Sequence, residues 1–185
     1  GYIQVPCFWT GTARVDLPGV DDQDASGNPG SDGATDHNAY AWAMVVDNGT
    51  VYTAGQCSNG AKSIACYWTG TTRTDLTNGA YDALASSLVV SGGTVYTGGS
   101  YVTTRSNPCY WTGTTRTELP TYADVNSGSV FAIALSGGTV YTAGSSWSSY
   151  WQLPCYWAGN ARTDLYRPGT YAQVVSSHWL LGTTW

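Results

Sequence analysis

The sequence predicts an all-β fold: a four-bladed β-propeller with four antiparallel strands per blade, the last blade closed by the N- and C-terminal strands together. Three observations predict it. Cys7-Phe8-Trp9-Thr10-Gly11, Cys66-Tyr67-Trp68-Thr69-Gly70, Cys109-Tyr110-Trp111-Thr112-Gly113 and Cys155-Tyr156-Trp157-Ala158-Gly159 are four copies of one motif, 59, 43 and 46 residues apart. A period near 45 is that of a propeller blade. Each copy runs on into Arg-x-Asp/Glu-Leu, from Arg14, Arg73, Arg116 and Arg162, and Gly-Thr-Val-Tyr-Thr recurs from Gly49, Gly93 and Gly138. Short β-branched and aromatic runs are divided by turn residues, and the 3.6-residue period of helices is absent.

Each element follows from the repeat. In one blade, Ala83 to Val90 reads as a buried strand and Ser91-Gly92-Gly93 as the turn. Thr94 to Thr97, Pro108 to Trp111 and Thr115 to Leu119 read as the next three strands. A meander of four strands is one blade. The single domain, residues 1–185, therefore divides into blades at about 40–76, 83–119, 130–165, and 171–185 plus 1–17. In the split blade, Ala172 to Ser176 and His178 to Gly182 supply the first two strands. Tyr2 to Trp9 and Thr12 to Leu17 supply the last two. Residues 18–39 are an acidic insertion.

The blades resemble kelch-type repeats. Thr94-Val95-Tyr96-Thr97-Gly98-Gly99 follows the second-strand pattern of that family, and Thr50 to Gly55 and Thr139 to Gly144 follow it with Ala-Gly endings. The repeats are also similar to tandem Cys-Tyr-Trp / Val-Tyr-Thr-Ala-Gly repeats of secreted bacterial proteins. The resemblance spans nearly the whole chain and speaks to architecture, because propellers host many activities.

Composition narrows the function. Charged residues are 10% and aromatics 14%, with Trp 9, Tyr 14 and Gly 23. Disorder requires low hydrophobicity and high charge, so this chain is expected to fold. The net charge is -5, with Lys+Arg 7, the reverse of the basic face that nucleic acid requires. No apolar run reaches the length of a membrane-spanning helix. One lysine, Lys62, and one glutamate, Glu118, among many Thr, Ser and Tyr indicate an extracellular or cell-surface protein. The start at Gly1, without an initiator Met, is read as a processed form.

Candidate sites are few. Asp22-x-Asp24-x-Ser26-Gly27-Asn28 matches the first half of an oxygen-rich calcium loop. The bidentate Glu of such loops is missing, since that position is Gly33, and Asp32 or Asp36 is its expected replacement. The expectation is a structural calcium ion held by Asp22, Asp24, Ser26, Asn28 and Asp32; the competing reading is a solvated acidic loop. The repeated Arg and Asp stand two apart, on one face of a strand, and are read as ion pairs bracing turns or joining blades. The repeated Trp9, Trp68, Trp111 and Trp157 are read as inter-blade core. Trp147, Tyr150 and Trp151 lie in a polar hairpin loop, and loop aromatics stack on sugars or bury in partners. Cys7, Cys66, Cys109 and Cys155 hold one equivalent position per blade, too far apart to bond. Cys57 is the exception: a Cys57–Cys66 disulfide is one reading. The other is a tight turn at Asn59-Gly60 that pairs Cys57 with Lys62.

No G-x-S-x-G elbow, H-E-x-x-H or phosphate loop occurs, and the histidines are two, His37 and His178. The expected function is therefore a non-enzymatic extracellular structural or adhesive module. Its partners are itself, other surface proteins or glycans, with self-association into a surface assembly or fibre as one route. The alternative is a carbohydrate-binding lectin.

Overall fold

The computed structural model describes residues 4–19, 38–122, 127–147 and 152–165. Among them the chain is all-β, with fourteen strands and no helix. The first two strands form a hairpin: β1 (Cys7–Thr10) and β2 (Ala13–Asp16). A four-stranded sheet follows, β3 (Ala39–Asp47), β4 (Thr50–Ser58), β5 (Ser63–Thr69) and β6 (Thr72–Asp75). The second is β7 (Asp82–Ser91), β8 (Thr94–Val102), β9 (Ser106–Thr112) and β10 (Thr115–Glu118). The third is β11 (Ser127–Ser136), β12 (Thr139–Trp147), β13 (Gln152–Ala158) and β14 (Ala161–Asp164). Each four-stranded sheet is an antiparallel meander in chain order.

Turn chemistry explains the meander. Asn48-Gly49, Gly92-Gly93 and Gly137-Gly138 join first to second strands with both φ values positive. Such primed turns match the right-handed twist of the strands they join. The third-to-fourth turns place Gly70, Gly113 and Gly159 first, at φ 57, 56 and 57. Each of these glycines donates its N–H to a second-strand carbonyl, of Val51, Val95 or Val140, at 2.8 Å. The fourth strand is then held one residue further, where Leu17, Leu76, Leu119 and Leu165 donate N–H to the carbonyls of Pro6, Ala65, Pro108 and Pro154.

Each second strand carries a glycine in its interior, Gly55, Gly99 or Gly144, because the first strand bulges beside it. Register shifts fall at Ala41/Ala43, Ala85/Ser87 and Val130/Ala132. A Cβ on Gly55, Gly99 or Gly144 would lie about 2 Å from the carbonyl oxygen of Tyr40, Leu84 or Ser129.

The strands come out longer and shorter than the sequence suggests. The second strand of the middle sheet runs to Val102, because its turn partner Ser106 keeps the ladder going. The first hairpin is in strand from Cys7, and the expected start at Tyr2 lies outside the described residues. Residues 1–3 and 171–185, and with them the pairing of the two chain ends, lie outside the described residues.

Successive sheets stack through apolar faces. Phe8 and Leu17 of the first hairpin pack with Ala39, Cys57, Cys66 and Trp68. Ala54, Ala65, Tyr67 and Leu76 pack with Ala83, Ala85, Leu88 and Trp111 of the next sheet. Tyr110 and Leu119 pack with Val130, Cys155 and Trp157 of the last.

Candidate interaction surface

The same joint is built three times. A leucine closing one unit, Leu17, Leu76 or Leu119, is buried with the motif tryptophan of the next, Trp68, Trp111 or Trp157. All three indoles are 0% exposed. Register places them alike: Met44, Thr53, Trp68 and Arg73 form one row across the first full sheet. Leu88, Thr97, Trp111 and Arg116 form the second row. Ile133, Thr142, Trp157 and Arg162 form the third. Residues directly opposite share a face of the sheet, so each row presents an aliphatic side chain, a threonine and a tryptophan to the preceding unit. Three threonine hydroxyls in these rows, Thr53, Thr97 and Thr142, are buried without a hydrogen-bond partner.

The two ends of the stack leave this joint open. Leu165, the equivalent of the three buried leucines, is 46% exposed, and Trp9, the equivalent of the three buried tryptophans, is 60% exposed. Trp9 thus departs from the core role expected of it. On the same side of β3, Met44 and Val46 are 55% and 56% exposed. Their counterparts by register, Leu88 and Ile133 for Met44 and Val90 and Leu135 for Val46, are half-buried, Ile133 standing beside Gly98 of the preceding sheet. Among the described residues, β1 pairs with β2 alone, so this unit shows two strands where each of the other units shows four.

The arginine and acid of each repeat do share one strand face and do pair: Arg14–Asp16 at 2.6 Å, Arg73–Asp75 at 2.9 Å, Arg116–Glu118 at 3.0 Å and Arg162–Asp164 at 2.8 Å. Both members belong to one strand, so the ion pair itself joins no two sheets. The guanidinium does that by other contacts: Arg73 donates to the Gly19 carbonyl of the preceding linker, and Arg162 lies 5.1 Å from the Tyr122 ring. Arg116 lies 3.9 Å over Tyr101 of its own sheet, and Tyr101 stands beside Tyr81 of the linker.

Cys57 pairs with Ile64, not with Lys62, and Gly55 sits opposite Cys66. The Asn59 side-chain oxygen accepts hydrogen bonds from the Ala61 and Lys62 amides, and the Asn59 amide donates to the Lys62 carbonyl. The loop is therefore four residues long instead of two, and the register moves with it. Cys57 and Cys66 are both thiols, with sulfur atoms 3.3 Å apart. Burial pushes the thiols of Cys66, Cys109 and Cys155 up, that of Cys155 to about 12. Cys109 and Cys155 thus stay protonated and inert.

Trp147, at the end of β12, is 44% exposed; Tyr150 and Trp151 lie outside the described residues. So do Asp22, Asp24, Ser26, Asn28, Asp32 and Asp36, together with His37 and His178. Among the described residues no cluster of three His, Cys, Asp or Glu side chains is placed to hold a metal, and no helix is long and apolar enough to cross a membrane. One aromatic platform escaped the sequence reading: Trp42 stacks on Tyr40, ring centroids 5.7 Å apart and planes 13° from parallel. No protein-family model and no curated protein matches the chain.

Proposed function

We propose that the chain is a non-enzymatic extracellular structural or adhesive module, a four-bladed kelch-like propeller that works through its surfaces. One observation carries the reading: Trp9 and Leu165 are exposed at the two ends of a stack whose equivalent residues bury each other at every internal joint. A half-unit at one end and a free face at the other call for two more strands beside β1, and residues 171–185 carry strand signals for them. Supplied by the same chain, these strands close a ring and give a monomer. Supplied by a neighbour, they make a head-to-tail contact that propagates into a fibre. Closure within one chain is the ground state of this reading, and strand exchange is its route to assembly.

Light scattering, electron microscopy and thermal melting of the full chain test it, beside Trp9→Ser and Leu165→Ser. Each variant is expected to melt below the wild type and to shift the balance of monomer and assembly. Melting and mass unchanged in both would overturn the reading. Calcium belongs to the same proposal, through Asp22, Asp24, Ser26, Asn28 and Asp32. An ion that binds the folded loop alone raises stability, so melting unchanged by excess chelator removes it.

A lectin is the second reading, favoured by the exposed Trp147 and by the stacked pair Tyr40–Trp42. Flat aromatic faces pack against sugar rings. Quenching of tryptophan fluorescence by a panel of oligosaccharides, lost in Trp147→Ala or Trp42→Ala, would favour it over the structural reading.

A further inference from the structure

The β4–β5 hairpin holds the two sulfur atoms that stand 3.3 Å apart, both fully buried. The arrangement is particular to this hairpin. Cys66, Cys109 and Cys155 all sit opposite a glycine, Gly55, Gly99 or Gly144. Two residues beyond that glycine the chain has Cys57 in β4, Tyr101 in β8 and Ser146 in β12. Only the first of these gives the motif cysteine a second sulfur. In the other two hairpins the same diagonal is filled by a phenol or a hydroxyl, so the fold itself does not ask for sulfur there.

The surroundings suit thiol exchange. The hydrogen bond from the Cys66 thiol lowers Cys57 most, against the burial that raises it, and the charge of Arg73, itself paired with Asp75, lowers it further. Burial holds Cys66 protonated. Cys57 is thus the nucleophile and Cys66 the resolving thiol. Both lie beneath Phe8 and Leu17 of the first hairpin. The β4–β5 hairpin is closed by a local loop, so it can form before β1 and β2 cover it, and the oxidant meets the thiols at that stage.

We propose that Cys57 and Cys66 are a redox-modification site, oxidised to a disulfide by exchange with a small disulfide of the oxidised-glutathione class. The Cys57 thiolate attacks one sulfur of the oxidant, forming a mixed disulfide and releasing one thiolate. Cys66 then gives up its proton, attacks Cys57 Sγ and expels the second thiolate. Two protein thiols are oxidised to one disulfide while one disulfide of the oxidant is reduced to two thiols. The product ties β4 to β5 under the terminal hairpin. Cys7, Cys109 and Cys155 have no part in it. The proposal is independent of how the ring closes.

The test refolds the full chain in a buffer of reduced and oxidised glutathione. Free thiols are then alkylated with iodoacetamide in denaturant, and the protein is weighed. Of the Cys 5 in the chain, three are expected to be alkylated before reduction and all five after it, with peptide mapping placing the link between Cys57 and Cys66. Cys57→Ser should show four alkylated thiols with or without reductant. Cys109→Ser should show two before reduction and four after. Five alkylated thiols in the wild type at every ratio of the two glutathione forms would overturn the proposal, as would a link to any other cysteine.

Discussion

The indole Nε1 of Trp157 donates a hydrogen bond to the carbonyl oxygen of Pro120, 2.8 Å away in the linker of the preceding sheet. Trp68 does the same to Pro18 at 2.9 Å. Trp111, in the equivalent position, has its Nε1 buried without a partner. The residue at the Pro18 and Pro120 position is here Thr77, and its hydroxyl is turned to accept from the Ala65 amide.

The three tryptophans should therefore differ under one substitution. Trp→Phe removes similar apolar volume at each site. At 68 and 157 it also strands a carbonyl, whereas at 111 it removes an unpaired donor. Leaving a buried polar group unsatisfied costs about 1–3 kcal/mol. Trp111→Phe is expected to be milder than the other two by an amount in that range, measured by urea denaturation.

Two glycines of the middle sheet separate crowding from backbone strain. Gly99→Ala puts a Cβ 2.0 Å from the Leu84 carbonyl oxygen, which the bulge holds in place. Gly113→Ala meets nothing within 4 Å and has only φ +56 to bear. The second change should cost about 1–2 kcal/mol, the penalty of a left-handed residue with a Cβ. The first should cost about 3 kcal/mol or more, in the range reserved for overpacked cores. Equal losses in chemical denaturation would contradict the assigned role of the bulge.

Acid should weaken the contact between the first two full sheets. Lys62 Nζ lies 2.8 Å from Asp82 Oδ2, and the Ser63 amide donates to Asp82 Oδ1 at 3.0 Å. The lysine hydrogen bond first, and that amide second, hold the Asp82 carboxyl below the usual aspartate range. A carboxyl lowered by folding stabilises above its unfolded pKa and loses that contribution as pH falls through the folded value. Both side chains are well exposed, so Asp82→Asn should cost less than about 1 kcal/mol at neutral pH. The gap between variant and wild type should close as pH falls through the lowered pKa of Asp82, where neither carries a carboxylate at this position. Urea midpoints across the acid range measure it.

Alkali acts on the opposite edge. Burial, and then the Glu118 carboxylate that accepts its hydroxyl at 2.9 Å, push the Tyr101 phenol up to about 12. A phenol raised by folding gives stability that is whole below its unfolded pKa near 10 and is lost as pH climbs to about 12. Ultraviolet titration should show one late-ionising phenol that is absent from Tyr101→Phe. The variant should also lose less stability than the wild type across that interval.

Much of this architecture was legible in the residues. The four motif copies gave the order of the first hairpin and the three four-stranded sheets. Ser91-Gly92-Gly93 gave the turn of the middle sheet, and the two-residue spacing of Arg and Asp put both on one strand face. The candidate sites were less legible. The register of Cys57 depends on Asn59 bonding two amides across its own loop, which turns a two-residue connection into four. The Ala-Gly and Gly-Gly endings were visible as a repeat. Their cause, a first strand bulging into the space a side chain would take, needs both strands in place.

The sequence by itself determined the repeated β-meander, because strand alternation, turn glycines and primed turns are local properties of a few neighbouring residues. Only the tertiary structure decided which copies of a motif are core. Trp9, Trp68, Trp111 and Trp157 look alike along the chain, yet three are fully buried and one is open. The physical reason is that burial belongs to a pair of faces: each tryptophan is covered by the leucine of the unit before it, and among the described residues no such leucine covers Trp9.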